Sequence, residues 1–428
     1  MKFASTTALA LSFALGAVAL TGASPAIAKK AAAADASKPQ FSPGFSVAAQ
    51  PLQKAITAKD YATAKTALPA AQAAATTPDD KYQVALMALI IAQSTNDTAS
   101  EGPAADAIIA SGKAPPDQLA QILDMKGRLA YNSNDLAGAD AAFTQLVQLK
   151  PADGDTAILL AQVKTREGRG AQALPIVDQA IQAKKAAGQP VDEDWYRHAL
   201  SIAYDAKMPA GVTKYGLQLI DAYPRADLWR VVLQTYRDTS KPDPQTDLDT
   251  LRLMRVSNSL AGERDYYDYA NSALNKGFPG EAKAVIDQGM SSNMVDNKAL
   301  ATSKALAEVK QVAGSKIAAD KADLPASDKR ARASADGKQA LLIGDAYLGY
   351  GQFDKAADLY KVALQKGADA NVTNLHLGEA LAQSGQKPAA VQAFALVQGP
   401  AQPLAQYWAV WANKGSAPAA APAAAPAK

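Results

Sequence analysis

Apolar residues recur along most of this chain at the three- and four-residue spacing of helices, interrupted by short clusters of Gly, Asn, Asp and Pro. Leu306, Val309, Ala313 and Ile317, for example, share one helical face. Ala, Leu, Gln and Lys are abundant and are good helix formers, whereas runs of β-branched residues are scarce. No segment alternates convincingly as a strand would. The pattern predicts an all-α protein.

The helical pattern also repeats itself with a period of 34 residues. Two stretches that contain Gly344 and Gly378 align position by position, and each predicts a helix, a Gly-containing turn and a second helix. The aligned pairs are Gly344 and Gly378, Gly351 and Gly385, Ala356 and Ala390, Tyr360 and Phe394, and Ala363 and Val397. Upstream, Ala139 and Phe143 align in the same way with Ala173 and Val177.

Each repeated position has a physical role in a pair of helices. A small residue in the first helix, such as Gly344, lets the second helix approach closely, and Ala356 lies at the same crossing. The large residue one turn later, Tyr360, fills the gap between the helices. Gly351 supplies the left-handed backbone conformation that ends the first helix.

These positions resemble the sequence pattern of the tetratricopeptide repeat (TPR) family. The clearest copies cover 120–187 and 337–404, and weaker copies cover 45–78, 193–226 and 263–296. The resemblance implies an α-solenoid, a right-handed superhelix of helix-turn-helix units whose first helices line a concave binding face.

The composition of the regions between and around the repeats predicts six segments. The polar stretch around Pro325 and Asp328 predicts a long loop, and hence a possible hinge, while Trp408 and Trp411 predict a capping helix. The segments are a secretory signal peptide (1–28), a flexible lead (29–44), an N-terminal TPR-like solenoid (45–297), a degenerate helical unit and loop (298–336), a C-terminal TPR pair with a capping helix (337–413) and an Ala/Pro-rich disordered tail (414–428).

The first 28 residues predict export. Lys2 precedes an apolar run over 8–20, and Ala26-Ile27-Ala28 completes the pattern of a cleavable secretory signal. The run is short for a bilayer span, which disfavours the alternative of a retained membrane anchor. The chain has no Cys, so it lacks a lipidation site. We expect a periplasmic or secreted protein with no transmembrane segment after cleavage, held together by packing rather than by disulfides.

Charge and motifs exclude several kinds of function. Lys and Arg number 44 against 41 Asp and Glu, so the basic excess that nucleic-acid binding needs is missing. The two histidines, His198 and His376, are interpreted as structural or surface residues, because neither has the companions of a metal site. No nucleophile elbow, phosphate-binding loop or zinc-binding helix motif occurs. The sequence therefore predicts no catalytic residue, metal site or cofactor.

One acidic and aromatic stretch remains ambiguous. Asp265 and Asp268, and likewise Tyr266 and Tyr269, share helical faces. They form either a surface that grips a peptide or a glycan, or a helix whose tyrosines fill the core while its aspartates face water. We favour the second interpretation, because large residues at helical spacing are usually core.

The TPR resemblance implies which residues would meet a partner. First-helix residues on the concave face would be Asp124, Arg128, Tyr131, Gln162, Arg166, Lys338, Leu341, Asp345, Glu379 and Gln383. The Lys/Asn/Arg set with which some family members clamp a terminal carboxylate is absent from these positions.

The leading functional hypothesis is a non-enzymatic scaffold of the bacterial cell envelope that binds proteins or peptides in its grooves. The alternatives are a peptidoglycan- or polysaccharide-binding protein or cell-wall enzyme built on a helical superhelix, and a purely structural spacer.

Overall fold

The computed structural model describes residues 39–295 and 301–415. Over these residues the chain forms twenty α-helices and one short 3₁₀-helix, with no β-strand. The helices pack in sequence order as antiparallel pairs, which confirms the predicted all-α solenoid. The predicted signal peptide, the lead up to residue 38 and the tail from 416 onward lie outside the described residues.

The helices fall into two compact units, of which the described parts are 39–191 for the first and 192–295 with 301–415 for the second. The sequence had suggested a break at 298–336 instead. The helices of the first unit are α1 (Pro43–Thr57), α2 (Tyr61–Ala74), α3 (Pro78–Ser94), α4 (Thr98–Ser111), α5 (Pro116–Asn132), α6 (Leu136–Leu149), α7 (Gly154–Arg166) and α8 (Gly170–Ala186).

Local sequence explains where these helices begin and end. Asn134 takes the left-handed conformation (φ 65°) that turns the chain after α5. The next residue, Asp135, caps α6 by accepting a hydrogen bond from the backbone N–H of Gly138 at 2.9 Å. Helix α1 begins at Pro43, inside the segment expected to be a flexible lead, and the side chain of Ser42 caps it.

The pair α3–α4 was not among the predicted repeats. The reason is spacing: α4 and α6 begin 38 residues apart, whereas α6 and α8 begin 34 apart. Helix α5 has 17 residues whereas α7 has 13, and these four extra residues take the α3–α4 pair out of the period on which the alignment depended.

The second unit contains the remaining helices. They are α9 (Glu193–Asp205), α10 (Pro209–Ala222), α11 (Ala226–Ser240), α12 (Pro244–Val256), α13 (Gly262–Asn275), α14 (Pro279–Ser291), α15 (Ala301–Ala333), α16 (Gly337–Gly349), α17 (Phe353–Gln365), α18 (Ala370–Gln383), α19 (Lys387–Ala395) and α20 (Gln402–Lys414).

The close crossings predicted from the small residues are present in both units. A Cβ atom placed on Gly127 would lie 2.5 Å from the ring of Phe143, and one on Gly344 would lie 2.6 Å from the ring of Tyr360. Both rings are completely buried. In these two pairs the first helix therefore needs glycine at this point, because the aromatic ring of the second helix occupies the space that a side chain would take.

Helix α15 corrects the expectation of a loop around Pro325. It runs without interruption for 33 residues through this proline. Leu324 and Ala331 are buried, so the segment packs on the unit. The charged run forms intrahelical ion pairs, such as Arg332 Nε to Asp328 Oδ1 at 2.6 Å, which support a helix. Hinge motion in this region stays a prediction.

Helix α20 connects the end of the second unit with its beginning. The Tyr407 hydroxyl donates to the backbone oxygen of Val212 in α10 at 3.4 Å, and its ring lies edge-on to Tyr236 of α11 with 5.6 Å between centroids. Trp408 is fully buried and stacks on Phe394. The helix thus covers the last pair and also packs against helices nearly 200 residues earlier in the chain.

No helix within residues 39–295 and 301–415 is both long enough and apolar enough to cross a membrane.

Replacing Gly344 by Leu tests the close crossing. The side chain would collide with the buried Tyr360 ring, so we expect a loss of about 1–3 kcal/mol or more in the free energy of unfolding, measured by urea denaturation. Gly314→Ala in α15 is the matched control, because a Cβ atom there meets no neighbour within 4 Å and alanine should stabilise the helix by up to ~1 kcal/mol. Equal stability of the Gly344 variant and the wild type would contradict the proposed crossing.

Candidate functional site

The predicted contact residues of α5 lie on one face of that helix. Asp124, Arg128 and Tyr131 follow one another at helical spacing. Arg128 Nε donates to both carboxylate oxygens of Asp124 at 2.9 Å. The two side chains keep 39 % and 36 % of their surface exposed, so a partner could reach them.

Arg166 of α7 connects this face with the next helix pair. Its guanidinium carbon lies 4.4 Å from the centroid of the Tyr131 ring, and Nη2 donates to Asn134 Oδ1 at 2.6 Å. Gln162, one turn earlier on α7, is partly exposed. The structure therefore brings together a continuous strip, which we call the first-helix face of unit 1: Asp124, Arg128, Tyr131, Gln162 and Arg166.

Side chains that the sequence did not single out also join first helices of this unit. The Tyr82 hydroxyl hydrogen-bonds to Gln118, and the amide of Gln93 lies 3.4 Å from the sulfur of Met125. Both contacts join α3 to α5. They were missed because the α3–α4 pair was not recognised as a repeat.

The predicted contact residues of the second unit do not form a comparable face. Lys338 is exposed, and Leu341 and Gln383 are partly buried. Asp345 and Glu379 are only 6 % and 0 % exposed, which corrects their assignment to an open concave surface. Asp345 is held by His376 of α18 and by Tyr360 of α17, and Glu379 lies 3.8 Å from Arg252 of α12.

His376 of α18 is the centre of this buried contact. Its Nδ1 lies 2.6 Å from Asp345 Oδ1 and its Nε2 lies 3.2 Å from Asp249 Oδ2 on α12. Each ring nitrogen faces a carboxylate, which can only accept, so both nitrogens carry a proton and the ring is an imidazolium. Burial alone would lower the pKa of His376, but the two carboxylates outweigh it and raise the pKa well above its usual range.

Arg252 of α12 forms the second set of ion pairs in this buried contact. Its Nε and Nη2 donate to the two carboxylate oxygens of Glu281, both at 2.8 Å, and its Nη1 donates to Asp249 at 2.9 Å. Burial disfavours the ionised form of Glu281, but Arg252 reverses this effect and lowers the pKa of Glu281. The hydroxyl of Tyr269 donates to Glu281, and that of Tyr360 donates to Asp345, both at 2.8 Å.

Glu379 differs from the other carboxylates of the cluster. Neither of its oxygens has a hydrogen-bond partner among the described residues, and the cation Arg252 Nη1 is 3.8 Å away. Burial and the neighbouring Asp249 raise the pKa of Glu379 well above its usual range. We therefore treat Glu379 as protonated. Two cations (His376 and Arg252) then face the three other carboxyl groups, and we call these residues the buried ionic cluster: Asp249, Arg252, Glu281, Asp345, His376 and Glu379.

The members of the buried ionic cluster are only 0 % to 6 % exposed, and their charged groups are occupied mainly by one another. Its function is to hold helices together: α12 and α14 through Arg252, and α12, α16 and α18 through His376. No group of three or more His, Cys, Asp or Glu side chains in the described part of the chain is arranged to hold a metal ion.

The sequence missed Asp249, Arg252 and Glu281. A weak signal is present in α12, where apolar and charged residues alternate without a purely polar face, as in a helix that is buried all round. It could not reveal the partners, since Asp249 and His376 are 127 residues apart.

The favoured interpretation of the acidic and aromatic stretch in α13, with its tyrosines in the core and its aspartates facing water, is correct in part. Tyr266 and Tyr269 are buried in the core, as expected. Asp265 does not face water: it is 7 % exposed and pairs with Arg230. Asp268 is partly buried, and burial raises its pKa.

Comparison with known proteins adds a fold likeness. No protein-family model and no curated protein matches the chain. Similar solved structures include a tetratricopeptide repeat protein from Parabacteroides merdae, 10 % identical, which covers 79 % of this chain and 100 % of its own with a TM-score of 0.29. The TPR domain of P58(IPK) is 12 % identical, with 80 % and 98 % covered and a TM-score of 0.26. The Pseudomonas aeruginosa pilF structure is 14 % identical, with 54 % and 90 % covered and a TM-score of 0.25. Likenesses of this size carry no argument about what the chain binds.

Replacing His376 by Gln tests the imidazolium. Asp249 and Asp345 would lose their shared cation inside the protein, so we expect the free energy of unfolding at pH 7 to fall by about 3–5 kcal/mol. His198→Gln, at the other histidine of the chain, is the matched control. His198 is also partly buried, burial lowers its pKa, and its Nε2 has no partner among the described residues. We expect the free energy of unfolding of the His198→Gln variant to fall by about 1 kcal/mol or less. Similar losses in the two variants would refute the ionic role of His376.

Replacing Glu379 by Gln tests the protonated carboxyl. A raised pKa means that the native state holds a proton that the unfolded state releases above about pH 4.5. Wild-type stability should therefore fall as pH rises, by about 1.4 kcal/mol per pH unit from this group, until its native pKa is passed. The variant lacks this contribution, so its free energy of unfolding should rise relative to that of the wild type as pH increases above about 5. Denaturant titrations across that range, with the exposed Glu308→Gln as control, measure the difference. A difference that does not change with pH would show that Glu379 is ionised in the native state.

Proposed function

We propose that this chain is a non-enzymatic protein-interaction scaffold and that it binds its partner on the first-helix face of unit 1. The observation that carries the proposal is the contact between Tyr131 and Arg166. It joins the first helices of two successive pairs into one accessible strip, whereas Asp345 and Glu379, two of the positions named for the second unit, are buried. A strip that crosses successive helices suits an extended segment of a partner protein.

The side chains of the first-helix face indicate which kind of partner segment would bind there. Arg128 is already paired with Asp124, while Arg166 lies on an aromatic ring and is exposed. The strip carries charges of both signs beside one large aromatic ring. We therefore expect the bound segment of the partner to alternate acidic and apolar side chains. A terminal carboxylate alone would find no built clamp at these positions.

The proposed place of action is the bacterial cell envelope. It is supported by the signal-like pattern of the first 28 residues, in which Lys2, the apolar run over 8–20 and Ala26-Ile27-Ala28 occur in the order of a cleavable signal. The mature chain would then work in the periplasm or outside the cell.

Site-specific photocrosslinking in the native envelope tests the proposal. A photoreactive amino acid at Gln162 should capture one or a few proteins reproducibly, whereas the same amino acid at Gln182, exposed on the second helix α8, should not. Arg166→Glu should reduce the capture at Gln162 by about tenfold or more, because a charged contact at the centre of an interface is typically worth over 1.4 kcal/mol. Lys185→Glu on α8 is the matched charge-reversal control.

Two results would overturn the scaffold hypothesis. Equal capture at Gln162 and Gln182 would show that the face has no preference, as expected of a spacer. Retention of the chain on purified peptidoglycan, lost in the Arg166→Glu variant, would favour the glycan-binding alternative.

A further inference from the structure

The second unit contains a pocket of about 860 Å³ beside the buried ionic cluster. Helices α12, α14, α15 and α16 line it, and its volume falls in the range of roughly 300–1,000 Å³ that is usual for small-molecule sites. Of the residues named from the TPR resemblance, Gln383 lies on its wall. The pocket belongs to the second unit alone, so it is separate from the first-helix face of unit 1.

Arg255 of α12 is the first notable group on the wall. Its Nε donates to Gln288 Oε1 at 2.7 Å, which is a neutral partner. Over the residues that the structure describes, Nη1 and Nη2 make no hydrogen bond, and no carboxylate forms an ion pair with this side chain. A partly buried guanidinium with both terminal nitrogens available can hold a carboxylate or a phosphate through two parallel hydrogen bonds.

Lys321 contributes a second cation from a different helix, α15. Its Nζ lies 5.0 Å above the ring of Tyr350, and within the described ranges it pairs with no carboxylate. The adjacent Asp320 accepts a hydrogen bond from the Tyr350 hydroxyl instead. The aromatic ring therefore holds Lys321 at the pocket without neutralising it.

The other charged groups of the wall neutralise one another. Arg252 is engaged by Glu281, and Lys283 is engaged by Asp287, which also receives Lys310 at 2.7 Å. Four cations and two carboxylates line the pocket, so its lining has a formal charge of +2. The two cations without a carboxylate partner among the described residues are Arg255 and Lys321. The charge that is left to interact with a ligand is positive.

We propose that this pocket binds a small molecule that carries a carboxylate or phosphate group, held by Arg255 and Lys321. The amides of Gln288, Gln383 and Asn258, which line the same space, can hydrogen-bond the polar remainder of the ligand. This site does not depend on the proposed scaffold function, because it uses none of the residues of the first-helix face.

Three variants probe the site in different ways. Arg255→Gln and Lys321→Gln each remove one charge, and Lys321 is exposed, so its replacement should not affect folding. Gly314→Phe fills the pocket from α15, where a Cβ atom meets no neighbour within 4 Å. The matched controls are Lys316→Gln and Ser315→Phe, which lie on the exposed part of α15 and outside the lining.

Calorimetric titration with citrate and with pyrophosphate, at constant ionic strength, measures binding to the full chain. We expect the wild type and both controls to bind one or both anions with affinities within about twofold of each other, while each charge variant binds about tenfold more weakly. Gly314→Phe should abolish the signal. Preference for citrate would identify carboxylate ligands, and preference for pyrophosphate would identify phosphates. The proposal is overturned if neither anion binds the wild type, or if Lys321→Gln and Lys316→Gln bind equally well.

Discussion

The best-formed helix pairs of the described chain, such as α5–α6 and α16–α17, depend on how closely their two helices can approach. A single helix of 13 to 17 residues cannot bury its apolar face alone, so it must pack against a neighbour. Glycine at the crossing removes the side chain that would separate the helices, and an aromatic ring from the second helix takes its place, as Phe143 does over Gly127 and Tyr360 does over Gly344. Both rings are fully buried. The 34-residue period in the sequence reflects this constraint on helix packing.

The second unit adds a constraint of another kind, because it buries charge. Removing an ion from water is costly, and a buried pair rarely stabilises a fold more than an apolar contact of the same shape would. The buried ionic cluster avoids an uncompensated charge in two ways. The imidazolium of His376 is shared by Asp249 and Asp345, and Arg252 meets Glu281 through two hydrogen bonds. The directions of these bonds also fix how α12 lies against α18, since a shift along either helix would leave a carboxylate without its cation.

The two units consequently offer different surfaces to other molecules. In the first, the side chains of α5 and α7 contact each other across the pairs and remain accessible. In the second, α12 contacts α18 through Asp249 and Arg252, and Asp345 and Glu379 are part of the interior. What remains accessible there is the pocket beside the cluster, with Arg255 and Lys321 on its wall. A repeated fold thus provides an extended strip in one unit and a small concave site in the other.

The sequence by itself determined the class of fold and the main helix crossings, because helical periodicity, glycine at the crossings and the aromatic residue one turn later are local in the chain. It also identified residues of the first-helix face in unit 1, whose positions follow from helical spacing within one repeat. It could not determine the interior of the second unit. Asp249 and His376 are 127 residues apart, and Tyr407 reaches α10 across 195 residues, so no local pattern records these contacts. Whether a charged first-helix residue faces water or a buried counter-ion depends on which distant helix packs over it, and only the tertiary structure decides that.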